Sequence, residues 1–301
     1  MGKEQGRYRK FLGGGGMRVG LAQIRPILGR VEENLKLHRE MVHRAESEQV
    51  DLLVFPELSL TGYLLKDLTL DVARTLWDEP IRQLAGESRR LDLVFGFVEE
   101  GPGHLFYNAA VYASDGEIRH VHRKVYLPTY GMFEEARHFA RGRFFRSFDT
   151  RFGRMGILIC EDAWHPSAPY LLVQDGAEIL IVISNAPAKG MGAWGMDAAK
   201  NWHGLLANHS LLHGVITLYA NRVGTEDGIT FFGESMAIDP FGRMLGRGKR
   251  FESQLVTVDV NPGDVRLARY QMPMLRDEDL ELTAREIERI LKRRFEGGEL
   301  P

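Results

Sequence analysis

The chain of 301 residues has a single cysteine, Cys160, no apolar run near membrane length, and no surplus of basic charge. One cysteine excludes an internal disulfide framework and suits a reducing, cytoplasmic setting. A membrane-spanning helix needs about 20 apolar residues in a row, and no such stretch exists. A formal net charge of −2 removes the field that draws a protein to nucleic acid or to an anionic membrane surface. The opening stretch MGKEQGRYRKFLGGGG lacks the apolar segment of a secretory signal, and residues 1–16 read as a flexible tail. What is present is ample apolar material, 44% of the chain against 27% charged, enough for a globular core.

From Met17 onward, strands and helices alternate. MRVGLAQI (17–24), VDLLVF (50–55), LDLVFGFV (91–98), AEILIVIS (177–184), GVITLYAN (214–221) and SQLVTVDV (253–260) read as strands. Helical spacing of Val31, Leu35, Met41, Val42 and Ala45 predicts a helix over 31–48. Further helices are expected around 71–88, over 194–213 and over 279–295. Hairpins are expected with turns at Asp115-Gly116, near Gly153, and at Asp239-Pro240 with Gly242. The hairpins at 108–121 and 234–246 echo one another, which suggests two similar sheets. An α/β fold follows, with two stacked sheets inside two helical layers. Residues 17–262 form the domain, and 263–301 a more loosely patterned C-terminal extension.

Three strand ends carry candidate chemistry. In MGILICEDAWH, Cys160 closes an apolar strand and two acids follow at once. By default a lone cysteine is a small buried hydrophobe. A thiol on a strand-to-helix turn, however, faces backbone N–H groups that lower its pKa and stabilise an oxyanion. Glu57 ends a second strand in VFPELSLTGY, at the strand end where α/β sites gather. Lys124 stands in an apolar strand in HVHRKVYLPTYGMFEEARHF. Alone, Glu57 reads as a solvated acid and Lys124 as a snorkelling surface residue. Together, nucleophile, carboxylate and ammonium make an acyl-transfer set. Other motifs fall short. His209 and His213 have zinc-compatible spacing without the glutamate of H-E-x-x-H, and GRGKR lacks the first glycine and the Ser/Thr of a phosphate loop.

FPELSLTGY, HRKVYLP and GILICEDAW, in that order, resemble the three signature blocks of the nitrilase, or carbon–nitrogen hydrolase, superfamily. NRVGTEDGITFFGESMAIDPFGRML is similar to a later stretch of the same family, so the resemblance covers nearly all of 17–270. It implies a four-layer αββα sandwich of two mixed sheets flanked by helices. It implies also a dimer, with the C-terminal extension at its interface. Carried over by position, Glu57 would be the general base, Lys124 the oxyanion-stabilising cation and Cys160 the nucleophile. A second glutamate, Glu135 or its neighbour Glu134, would orient Lys124. The expected substrate-binding residues are Tyr63, Tyr130, Phe133, Glu161, Trp164 and the loop from Asn185 to Ala193.

The chemistry so implied needs no metal and no organic cofactor. Cys160 would form a thioester, and Glu57 would move the proton from thiol to leaving nitrogen and then activate water. Glu161-Asp162 directly after the cysteine, where nitrile-cleaving members commonly have Trp then Glu, favours amides over nitriles. Three readings stay open: a free-standing amidase acting on a small amide or carbamoyl compound, a glutaminase subunit that feeds ammonia to a separate synthetase such as NAD synthetase, and a non-catalytic scaffold of the same fold.

Overall fold

A computed structural model describes residues 16–188 and 198–295. Two six-stranded sheets dominate it. The first contains β1 (Met17–Gln23), β2 (Leu52–Val54), β3 (Asp92–Gly101), β4 (Leu105–Ser114) and β5 (Glu117–Arg123). The second contains β6 (Phe148–Thr150), β7 (Gly153–Ile159), β8 (Ile179–Ser184), β9 (Ile216–Asn221), β12 (Met236–Ile238) and β13 (Met244–Arg247). The last strand, β14 (Gln254–Val260), returns to pair antiparallel with β1 in the first sheet. A separate hairpin, β10 (Val223–Glu226) with β11 (Ile229–Phe232), lies between β9 and β12 in sequence.

The two sheets share one plan. Three parallel strands, β1–β2–β3 or β7–β8–β9, are followed by two antiparallel ones, β4–β5 or β12–β13. Each has an extra antiparallel strand, β14 or β6, beside the first parallel strand. The echo between the hairpins at 108–121 and 234–246 is this repeat.

Alternation along the strands builds the layers, because successive side chains leave a strand on opposite faces. Leu52 and Val54 join the core shared with the second sheet. Leu53 and Phe55 join a second cluster with Val31, Leu35 and Val42 of α1 (Val31–Ser47) and with Ile81 and Leu84 of α2 (Glu79–Gly86). Over the second sheet, α3 (Ser167–Gln174) contributes Ala168 and Leu172, and α4 (Ala198–His213) contributes Trp202 and Leu206. The result is helix, sheet, sheet, helix.

Some sequence expectations need correction. The helix expected around 71–88 is two pieces, Thr69–Val72 and α2, because Arg74 pairs with the edge of β3 through Val98 O and Glu100 N–H. The Asp78 carboxylate then accepts the Thr75 N–H, and Pro80 sits in the first turn of α2. The strand expected from 214 starts at Ile216, since Gly214 adopts φ 58° at the end of α4. Of the helix expected over 194–213, the part before 198 lies outside the described residues, as do the tail 1–15 and the segment 189–193. The extension forms α5 (Gly263–Gln271) and α6 (Leu280–Phe295), and no residue of α6 is buried. Among the described residues no helix is long and apolar enough to cross a membrane.

Candidate active site

The ends of β2, β5, β7 and β8 converge, and each brings one functional group. After β2 the chain turns at Pro56-Glu57, with Leu58 in the left-handed region at φ 46°. The turn crosses β3 so closely that a Cβ on Gly96 would stand 2.4 Å from the Leu58 nitrogen. Only glycine fits there, and its absent side chain lets the Glu57 carboxylate face inward.

Glu57 is fully buried, and a buried carboxylate survives only when its oxygens find donors or a counter-charge. Its Oε1 accepts from Lys124 Nζ at 2.8 Å and Asn108 Nδ2 at 2.7 Å. Its Oε2 accepts the Asn185 N–H at 2.8 Å, and its backbone oxygen accepts Asn185 Nδ2 at 2.9 Å. Lys124, one residue beyond β5, is tied to that strand's partner through Asn108 O. Its ammonium also donates to Glu135 Oε1 at 2.7 Å. Burial alone would lower the Lys124 pKa, but Glu135 and then Glu57 and Cys160 outweigh it and hold the ammonium charged. Burial pushes Glu135 up to about 7, against the pull of Lys124. Glu134 is exposed, so Glu135 is the glutamate that reaches the lysine.

Cys160 directly follows β7 and adopts φ 46°, a conformation that strains any residue with a Cβ. Strain of this kind at a strand end lifts a nucleophile out of the sheet. The thiol is 9% exposed, and Ser184 Oγ donates to its sulfur at 3.2 Å. The expected helix start does not follow at once: a single 3₁₀ turn over Cys160–Trp164 intervenes before α3. Nor is the thiol acidified. Burial, and next the negative charge of Glu57, push its pKa well above the usual value, and Lys124 opposes them only in part. A resting thiol beside a carboxylate needs a base to remove its proton.

Several contributors carry no motif of their own. Asp162, fully buried, accepts the N–H groups of Val125, Tyr126 and Ile159 and faces His122 Nε2 at 2.9 Å. One side chain thereby joins the cysteine turn to the lysine segment. Glu226 accepts the N–H groups of Tyr63 and Leu64 at 2.9 and 2.7 Å and pairs with buried Arg222 at 2.7 Å. That fixes Tyr63, whose hydroxyl donates to Glu135 Oε1 at 2.7 Å. Asn108 had a legible signal, a single amide in the apolar strand YNAAVYA. Arg222 and Glu226 lie in the family-like stretch NRVGTEDGITFFGESMAIDPFGRML, but nothing along the chain pairs them with one another or with Tyr63.

The candidate pocket residues divide. Tyr63 and Asn185 are occupied with Glu135 and Glu57, so they hold the charged groups instead of forming free walls. Phe133 bridges Tyr63 and Tyr130 by edge contacts at 6.4 and 5.5 Å. Tyr130 is 53% exposed and its hydroxyl donates to Glu161 Oε2 at 2.8 Å. Trp164, 40% exposed, leans edge-on against Trp202. His209 is turned towards Ala163 O. Among the described residues no group of three or more His, Cys, Asp or Glu is placed to hold a metal ion.

Two stacked mixed sheets between helical layers, with these groups at their strand ends, define a four-layer α/β sandwich with a buried Glu, Lys and Cys set. The family model described as carbon-nitrogen hydrolase matches residues 18–270, and the chain belongs to that family. It is 36% identical over 248 residues to the glutamine-dependent NAD(+) synthetase of Thermotoga maritima, covering 81% of this chain and 42% of that protein. It thus spans less than half the length of such relatives. An amidase from Nesterenkonia sp. AN1, solved with the acetamide moiety of fluoroacetamide added covalently at its active-site cysteine, matches with a TM-score of 0.75 and 26% identity. That match covers 89% of this chain and 96% of the amidase. A carbon-nitrogen hydrolase from Helicobacter pylori G27 shares the fold, with a TM-score of 0.78 at 23% identity over 88% of this chain and 96% of that one.

Proposed function

We propose that the chain hydrolyses the carbon–nitrogen bond of a small amide through a thioester on Cys160. The observation that carries this reading is the buried Glu57–Lys124–Glu135 network beside a thiol whose pKa is raised. Glu57 takes the thiol proton as sulfur attacks the carbonyl carbon. Lys124 stabilises the resulting oxyanion, and Glu135 holds Lys124 in place and charged. Glu57 then gives its proton to the departing nitrogen, the C–N bond breaks, and ammonia or an amine leaves. In the second half Glu57 takes a proton from water, hydroxide attacks the thioester, and the C–S bond breaks with the proton returned to sulfur. The covalent addition named for the Nesterenkonia amidase, at its active-site cysteine, supports a nucleophilic Cys160.

A second reading, glutamine as the amide and a synthetase as the ammonia acceptor, is favoured by the likeness to NAD synthetases. Glu161 supports it: a carboxylate next to the nucleophile, with Tyr130 on it, suits a substrate bearing an ammonium group. The test is ammonia release from a panel of aliphatic amides, carbamoyl amino acids, glutamine and nitriles, with Cys160→Ala as control. Release from simple amides supports the first reading, and release confined to glutamine the second. Catalysis retained in Cys160→Ala refutes both.

We infer also that the extension 263–295 packs against a second copy. Exposed Leu280, Ile287, Leu291 and Phe295 on α6 would be covered in such a dimer. A monomer in analytical ultracentrifugation at micromolar concentration would contradict this.

A further inference from the structure

Away from the strand ends that hold Cys160, a groove opens beside the end of β5, and its walls are basic. A cavity of about 430 Å³ is lined by Tyr107, His120, Arg123, Arg141, Arg143 and Arg146 among others. A recess of about 720 Å³ shares Tyr107, Arg141, Arg143 and Phe144 with it. Both volumes fall in the range of small-molecule sites, about 300–1,000 Å³.

The charges in this groove do not cancel. Glu99 is the one carboxylate in the lining, and Arg123 grips it with two bonds of 2.7 and 2.6 Å. Three guanidinium groups are left over. Arg141 spends only its Nε, on Val125 O at 3.0 Å, and lies over the Tyr126 ring. Arg146 lies over the Phe144 ring at 4.2 Å. Arg143 makes no ion pair or hydrogen bond to any described residue. Burial holds the pKa of His120 down to about 4, so that ring is neutral at neutral pH. In a chain with a net charge of −2, three arginine side chains lining the cavity of about 430 Å³, whose one carboxylate is paired with Arg123, form a local field for anions.

The floor of the groove is fixed. Gly142 donates its N–H to Lys124 O at 2.7 Å, and a Cβ there would stand 2.0 Å from Arg123 O, so the arginine-bearing segment lies directly on the backbone that carries Lys124. Arg123 and Lys124 are consecutive on extended chain and point to opposite sides: one enters the groove, the other the catalytic network.

We propose that this groove binds a small phosphorylated molecule, gripped by Arg141, Arg143 and Arg146, at a site separate from the catalytic one. Guanidinium forks match the oxygens of carboxylate and phosphate alike. Three forks offer more donors than one carboxylate accepts, and they suit the terminal oxygens of a phosphoryl or diphosphoryl group. The site does not depend on the identity of the amide substrate, and its test reads binding alone.

The experiment is isothermal titration calorimetry of the full chain with inorganic pyrophosphate, adenosine diphosphate and citrate at matched ionic strength. The expected result is saturable binding of pyrophosphate or adenosine diphosphate, weakened by about tenfold or more in the doubly substituted Arg143→Ala/Arg146→Ala protein. Whichever of the two binds more tightly tells whether the organic part contributes. Arg143→Lys/Arg146→Lys keeps the charge, loses the fork and should fall between. Far-UV circular dichroism and the melting temperature should be unchanged in both variants, which shows that they are folded. The proposal is overturned by no saturable heat up to about 10 mM, by citrate binding as tightly as pyrophosphate, or by undiminished binding in the alanine variant.

Discussion

The two sheets are built on one plan and equipped differently. In the first, β2 leads to Glu57 and β5 leads to Lys124. In the second, the first parallel strand leads to Cys160 and the second ends at Ser184-Asn185, all uncharged. The ends of the two equivalent strands, β2 and β8, meet where Asn185 binds Glu57 twice. The difference in support is instructive. The buried Glu57 carboxylate is held by Asn108, Lys124 and Asn185, whereas among the described residues the thiol's side-chain hydrogen-bond partner is Ser184. Burying charge is costly unless every oxygen is satisfied, and burying a neutral thiol is cheap. A repeated frame can therefore diverge in chemistry, provided the charged half recruits its donors from both halves.

That division can be broken first on the neutral side. Cys160→Ala should reduce amide hydrolysis by about 10⁴-fold or more, as loss of a nucleophile does, and mass spectrometry should find no acyl adduct. On the charged side, Lys124→Ala should cost about 10²–10³ in kcat through the unsupported oxyanion. An activated ester, whose leaving group needs no proton, should not rescue it. The same ester should partly rescue acylation in Glu57→Gln, leaving an acyl-enzyme that accumulates on Cys160. Rescue in the opposite pattern would mean that the two roles are exchanged.

Making the halves alike is the next test. Asn185→Asp would set a second carboxylate against Glu57 and its backbone oxygen, and should lower both kcat and the melting temperature. Glu226→Gln removes the partner of buried Arg222 and should destabilise the fold by about 3–5 kcal/mol, measured by urea unfolding. Because it reaches the site only through Tyr63, kcat should fall with KM little changed.

The smallest effects concern protons. Tyr63→Phe deletes a donor to ionised Glu135, whose pKa already stands at about 7. The carboxyl should then protonate more readily, and the acid limb of kcat/KM should move to higher pH. In the folded protein Glu135 holds its proton more tightly than in the unfolded chain, so its share of stability is full below about pH 4.5 and is lost as pH rises through about 7. Iodoacetamide should label Cys160 more slowly than free cysteine at neutral pH and faster as pH rises, since burial and Glu57 disfavour the thiolate. Labelling that is fast and independent of pH would contradict the raised thiol pKa.

Sequence by itself determined the frame. Strand and helix alternation, the two similar hairpins and the places of Glu57, Lys124 and Cys160 at strand ends are local patterns, written by side-chain period and turn chemistry. It also carried Glu135, though only as one of two adjacent glutamates. Tertiary structure decided the rest, because it depends on pairs far apart in the chain. The choice of Glu135 over Glu134 rests on which carboxylate reaches an ammonium eleven residues away. Tyr63 and Asn185, which the sequence suggests as pocket walls, support the charged groups through hydrogen bonds to Glu135 and Glu57, the latter across 128 residues. The sign of the Cys160 shift also inverted: a strand end suggests N–H groups that acidify a thiol, but burial beside Glu57 is a property of the assembled core. Electrostatics at a buried site are set by solvent exclusion and by distant charges, and neither is visible along a single segment of chain.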